Sequence, residues 1–158
     1  MLSNLITDRA VTDYLRWKQL RDKGWSAMTA EEQAEWAGAM KGAYGVSDLN
    51  RVGAAMNYLR GRLAAAGYLG GNEFELREDW VRGEIPEPNY LTYYLSAVFV
   101  IREAFARLKS TPATPADVGS LDYRDANAIE QILVDIDQLI TNMLAARYYC
   151  GDLYSGEV

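Results

Sequence analysis

The chain has 158 residues, 49% of them hydrophobic and 24% charged, with a formal net charge of −6. That composition suits one folded domain burying roughly 70% of its unfolded surface and excludes a disordered polymer. It contains no histidine and a single cysteine, Cys150, which removes the usual general base, the Ser-His and Cys-His nucleophile pairs, an ordinary zinc site and any internal disulfide.

The acidic balance disfavours general nucleic-acid binding. No apolar run approaches the ~18 residues that span a bilayer; the longest, Ala97 to Ile101, is five. The opening Met1-Leu2-Ser3-Asn4-Leu5-Ile6 lacks a basic leader and a long apolar core, so no secretory signal is expected. Charge is unevenly spread. Residues 1–67 carry nine Lys/Arg and seven Asp/Glu, a balance of +2, and residues 68–158 carry seven and fifteen, a balance of −8. Such a distribution either steers copies or partners into register or is scatter on a solvated surface.

In chain order, a first helix is predicted from Thr7 to about Lys23, with Val11, Tyr14, Leu15, Trp17 and Leu20 as candidate buried positions and Gly24 as a left-handed stop. Thr29 with Glu32 spells a capping box for a short second helix ending near Met40. Ser47 or Asp48 caps a third helix that continues to about Ala66 and stops at Gly67. Its stripe is Leu49, Val52, Met56, Leu59 and Leu63. Residues 68–89 read as an irregular segment or a brief strand around Phe74, Leu76, Trp80 and Val81, held extended before Pro86 and Pro88. A fourth helix runs from about Asn89 to Lys109, apolar over enough of its surface to be contacted from more than one side. After a linker containing Pro112 and Pro115, Asp122 or Tyr123 starts the last helix, which reaches about Tyr149 on a stripe of Ile129, Leu133, Ile136, Ile140 and Met143.

One phrase occurs twice: Asp48-x-Asn50-x-Val52 and Asp125-x-Asn127-x-Ile129, which a shift of 77 residues superposes. It begins like a calcium loop, but position twelve is Leu59 or Ile136 rather than a bidentate Glu, so a helix-start role is preferred. The match reads either as two duplicated helix–loop–helix units, with halves 1–67 and 90–150, or as the likeness of any two capped amphipathic helices. Either way the expected architecture is a single all-α domain over residues 1–158, an up-down bundle of about four long helices plus one short one.

Candidate sites are few. Glu130, Asp135 and Asp137 fall mostly off the apolar stripe, as solvent-facing charges do, and Glu73, Glu75, Glu78 and Asp79 form an acidic group without diagnostic spacing. Gly70-Gly71 lacks the residues of a phosphate loop. Arg9, Arg16, Lys18, Arg21 and Lys23 make the first helix basic, with Asp8, Asp13 and Asp22 interleaved to pair with them. Eleven tyrosines and four tryptophans point either to contact surfaces, because these side chains join large apolar area to a polar tip, or to packing between the helices. Tyr90, Tyr93, Tyr94, Tyr148, Tyr149 and Tyr154 are the candidate interface residues, and Trp80 is a candidate ligand platform. The closing residues from Gly151 to Val158, with two apolar anchors, read either as a tail for a groove on a neighbouring subunit or as a frayed end.

Ile6-Thr7-Asp8-Arg9, Lys23-Gly24-Trp25, Met28-Thr29-Ala30-Glu31-Glu32 with Trp36, and Lys41-Gly42-Ala43-Tyr44 with Asp48-Leu49-Asn50-Arg51-Val52 together resemble small helical structural proteins of phages and prophages of Gram-positive bacteria. Asp125-Ala126-Asn127-Ala128-Ile129-Glu130 and Tyr154-Ser155-Gly156-Glu157-Val158 resemble the same family. The resemblance spans nearly the whole chain, is weakest over residues 68–89, and brings no catalytic residue with it. It implies a non-enzymatic tail- or virion-associated module that contacts other phage structural proteins or copies of itself, needs no cofactor, metal, nucleic acid or membrane, and resides in the virion and, during assembly, in the host cytoplasm. The competing expectation is a ligand-binding bundle recognising a cell-surface glycan or peptide.

Overall fold

The computed structural model describes residues 2–117, 119 and 121–154, with side chains described as far as residue 146. Its elements are α1 (Val11–Lys23), a 3-10 turn (Trp25–Ala27), α2 (Ala30–Ala37), α3 (Val46–Ala65), α4 (Pro88–Glu103) and α5 (Tyr123–Tyr154). The protein is an all-α bundle, with no strand among the described residues.

The caps follow local chemistry. Thr29 Oγ1 accepts from Glu32 N and the Glu32 carboxylate accepts from Thr29 N, closing the predicted box on α2. Asp48 is not the cap of α3. That helix starts one turn earlier at Gly45, and Asp48 reaches back to accept from Gly45 N at 2.9 Å. Gly67 has φ +81, and Gly67 N donates to Ala64 O while Tyr68 N donates to Leu63 O, a Schellman stop that glycine adopts without a Cβ penalty. Asp122 caps α5 by accepting from Arg124 N and Asp125 N. The helix then continues past Gly151 to Tyr154, beyond the expected end.

α3, α4 and α5 pack on one another around a core of Val52, Met56, Leu59, Leu63, Val98, Ile101, Ile129, Ile132, Leu133, Ile136 and Ile140, all fully buried. Both predicted stripes face this core, and α4 is gripped from two sides as its apolar breadth suggests. The three helices do not alternate in direction. Arg51 near the start of α3 pairs with Glu130 near the start of α5, while Arg62 near the end of α3 meets Asp137 and Thr141 further along α5. α3 and α5 therefore run parallel, and α4 runs with them, because Tyr90 and then Tyr93 meet Arg77 and Glu75 in the same order in which Asn50 and then Asn57 meet Trp80 and Leu76; long non-helical segments carry the chain back each time.

The first return segment is no strand, yet it lies extended along α3. Asn57 Oδ1 accepts from Leu76 N and its Nδ2 donates to Leu76 O; Asn50 makes the same pair of bonds with Trp80. From α4, the Tyr93 hydroxyl accepts from Glu75 N and the Tyr90 hydroxyl from Arg77 N. Gly53 lets the segment approach this closely, since a Cβ there would sit 2.9 Å from Arg77 O. Side chains thus satisfy backbone groups that a sheet would otherwise pair.

Two helix boundaries differ from expectation for a tertiary reason. Residues 7–10 stay extended instead of opening α1, because Asn127 clasps both Arg9 N and Arg9 O and Glu130 accepts from Ile6 N. α4 stops at Glu103, and beyond it Phe105 meets Tyr68 edge-on at 4.6 Å while Arg102 Nε donates to Pro112 O. α1 itself packs on α2 and the 3-10 turn rather than into the three-helix core. Of its five candidate buried residues only Leu20 is buried, and Val11 and Leu15 are 50% and 53% exposed.

Candidate functional site

The repeated Asp-x-Asn phrase performs one structural task at two places. Asp48 and Asp125 each accept from the backbone N–H three residues earlier, at Gly45 and Asp122. Asn50 and Asn127, two residues on, each bind both the N–H and the C=O of one extended residue, Trp80 and Arg9 respectively. One amide side chain carries one acceptor and two donors, so it completes an extended residue much as a neighbouring strand does. The two clasps place the N-terminal arm on α5 and the 74–80 segment on α3.

The first clasp delivers Arg9 into the bundle. Its Nη2 lies 2.8 Å from Asp48 Oδ1 and 2.6 Å from Glu130 Oε1, and Arg51 Nη2 reaches the same two oxygens at 2.6 and 2.8 Å. Glu130 is 0% exposed, which corrects the expectation of a solvent-facing charge; so is the placing of Asp135, buried and held by Thr111 and Gln131. A buried carboxylate is tolerated only when paired, and two guanidinium groups plus Ile6 N pair this one. Beside the cluster the Tyr44 and Tyr94 hydroxyls bond each other at 2.5 Å, and the Arg9 guanidinium lies 5.8 Å from the centre of the Tyr44 ring. Burial pushes both phenols well above the ordinary tyrosine range.

A cleft of about 350 Å³ opens over this cluster. Tyr14, Leu49, Leu91 and Ala126, each the fourth residue of its helix, line it together with Trp17, Leu121 and Tyr123. Tyr14 stacks against Tyr123 at 6.2 Å and tilts against Trp17 at 5.9 Å, forming an aromatic wall. Gly42 sets the α1 wall in place, since a Cβ there would fall 2.0 Å from Asp13 O.

The residues singled out from sequence are not gathered here. Tyr94 is 1% exposed and belongs to the core, so it offers no interface. Tyr90 is half-buried and Tyr93 is 40% exposed, with both hydroxyls engaged on the 74–80 segment. Trp80 is no open platform. The Arg77 guanidinium sits 4.3 Å from its ring centre and Tyr90 packs edge-on at 4.9 Å. The side chains of Tyr148, Tyr149, Cys150 and Tyr154 and the tail after Tyr154 lie outside the described residues. Glu73, Glu75, Glu78 and Asp79 are exposed, with Glu78 accepting from Asn57 and Asp79 pairing with Arg77. Among the described residues no three metal-ligating side chains gather. On α1, Arg16, Arg21 and Lys23 pair with Glu35, Asp22 and Glu32.

Sequence reasoning did not join Arg51 and Tyr44 to this site, and it set Arg9 among the bases of the first helix, paired with Asp8, Asp13 and Asp22, where the structure pairs it with Asp48 and Glu130. The available signal was Glu130 itself, which follows Ile129 directly and precedes Ile132 and Leu133 by one helical step across Gln131. Architecture and site together define an all-α parallel bundle with a buried ion-pair cluster beneath an aromatic cleft. No protein-family model matches the chain, and no curated protein or solved structure matches it either.

Proposed function

We propose that this chain is a non-enzymatic assembly module of a phage or prophage particle, tail- or virion-associated, that works through protein–protein contacts. The observation that carries the reading is the outer face of α1. Val11 and Leu15, one helical turn apart, are half exposed, and Trp25 just beyond the helix is 54% exposed. An apolar stripe left open on a helix that rests on one side only is the kind of surface that proteins bury on association. The kinship suggested by Lys23-Gly24-Trp25 and the Asp-x-Asn phrases supplies the phage context. The charged groups found inside the fold support the same reading, because Arg9, Asp48, Arg51 and Glu130 are engaged with one another. Quantitative mass spectrometry of particles purified after prophage induction tests this. The chain is expected at a fixed copy number per particle, and Leu15→Glu is expected to remove it; its absence from washed particles would overturn the reading.

A further inference from the structure

The N-terminal arm, residues 2–10, is bound to the bundle as a ligand would be. Leu2 and Leu5 pack against the core, Glu130 accepts from Ile6 N, Asn127 clasps Arg9 N and Arg9 O, and the Arg9 guanidinium donates to Asp48 and Glu130. Each of these hydrogen bonds joins the arm to α3 or α5. None depends on the α1 that follows, which packs on α2 and the 3-10 turn. Residues 2–37 therefore make a lobe, joined to α3 by residues 38–45, three of which are glycine.

The seam between lobe and bundle is loosely filled. A cleft of about 350 Å³ separates Tyr14 and Trp17 of α1 from Leu91 and Ala126, and one of about 510 Å³ lies between Trp17 and Trp36 on one side and Val46 and Arg82 on the other. Arg9, by contrast, is 4% exposed. The arm is the tight part of the junction. Without Arg9, the carboxylates of Asp48 and Glu130 share only Arg51, two negative charges against one positive. A buried notch with an excess negative charge requires a cation, and a guanidinium serves both carboxylates and Ile6 O of its own arm at once.

We propose that the notch of Asp48, Glu130 and Asn127 is a docking site for the arm of a second copy, so that neighbouring copies exchange arms and each supplies the Arg9 that completes the other's site. The same bonds form in the closed and the exchanged arrangement, so concentration sets the balance. A tethered arm presents itself at roughly millimolar effective concentration. Dilute protein therefore closes on itself, and copies held side by side in an assembly exchange. This goes beyond the contact-module reading, since it stands on the arm and its charge complementarity and not on the α1 face.

The test separates acceptor from donor. The acceptor is the ¹⁵N-labelled full chain with Ile6→Pro and Arg9→Pro, which lacks the guanidinium and both arm N–H groups that α5 binds; Arg9→Ala replaces it if its helical circular dichroism is lost. Titrated with the N-acetylated, C-amidated peptide of residues 2–10, it is expected to show saturable shifts at Asp48, Asn127 and Glu130 at roughly millimolar concentration or below. The Arg9→Lys peptide is expected to bind at least about threefold more weakly and the Arg9→Ala peptide at least about tenfold. The donor is the unlabelled full chain with Glu130→Gln, or Asn127→Ala if that fails to fold, whose arm is intact and whose own notch is impaired. Refolded together at about 100 μM, well below the millimolar range of a tethered arm, donor and acceptor are expected to form a one-to-one dimer by sedimentation equilibrium, each alone remaining monomeric. A peptide that never saturates, binding indifferent to the arginine, or a mixture that stays monomeric would each overturn the proposal. Exchange by a chain absent from particles refutes the particle assignment alone; a monomeric mixture from a chain present in particles refutes the arm site alone.

Discussion

Glu130→Gln is the sharpest perturbation the structure offers. The carboxylate accepts from Ile6 N, Arg9 and Arg51, and it is 0% exposed. The amide keeps the shape but removes one negative charge, leaving two guanidinium groups to share Asp48. Breaking a buried pair from one side typically costs about 3–5 kcal/mol, because the orphaned charge cannot regain water. For a chain of this size a loss of that magnitude lowers the melting temperature by roughly 6–20 °C. Urea unfolding followed by far-UV circular dichroism, with the slope compared to separate a stability change from a change in compactness, measures it. Glu35→Gln, which removes an exposed pair with Arg16, serves as the control and is expected to leave the midpoint almost unchanged. A Glu130→Gln midpoint matching that control would show that the cluster is not buried and paired as described.

Gly53→Ala and Gly61→Ala are expected to move stability in opposite directions. At Gly61 a Cβ meets nothing within 4 Å, so alanine gains about 0.5–1 kcal/mol of helix propensity. At Gly53 the Cβ would lie 2.9 Å from Arg77 O, so the helical gain is lost to displacement of the 74–80 segment. Thermal melts check both. Asn127→Ala leaves Arg9 N and Arg9 O without their clasp and is expected to cost about 2 kcal/mol, with hydrogen exchange at residues 6–9 rising well before global unfolding. The raised phenols of Tyr44 and Tyr94, driven up by burial, make a pH prediction. Below the ordinary tyrosine value of 10.0 both states hold the proton, and above it the unfolded chain releases protons that the fold retains. Stability is therefore lost as pH climbs past 10, and Tyr44→Phe should flatten that limb of a denaturation–pH profile.

The helices were legible because their burial is periodic. Leu49, Val52, Met56, Leu59 and Leu63 announce one stripe and Ile129, Leu133, Ile136, Ile140 and Met143 another; Met143 is partly buried and the other nine are buried. The Thr29–Glu32 box and the Gly67 stop were legible for the same local reason. Helix direction was not, since a stripe is identical whichever way its helix runs, and only the returning segments between α3, α4 and α5 decide it. The site was the least legible part. Arg9, Asp48, Arg51 and Glu130 come from three distant stretches of chain, and no spacing rule links them. Their meeting depends on Asn127 holding the N-terminal arm extended, a side-chain-to-backbone bond across 118 residues of sequence. The aromatic residues singled out from sequence are divided among different tasks in the fold. Tyr90, Tyr93 and Trp80 hold the 74–80 segment, while Tyr14, Trp17 and Tyr123 form the open wall.

Sedimentation velocity of the purified chain, alone and mixed with purified phage tails, tests the contact-module reading most directly. Wild-type protein is expected to travel with the tails or as a defined oligomer at micromolar concentration, and Leu15→Glu to travel as a free monomer. Wild-type protein that sediments as an independent monomer in both samples would contradict it.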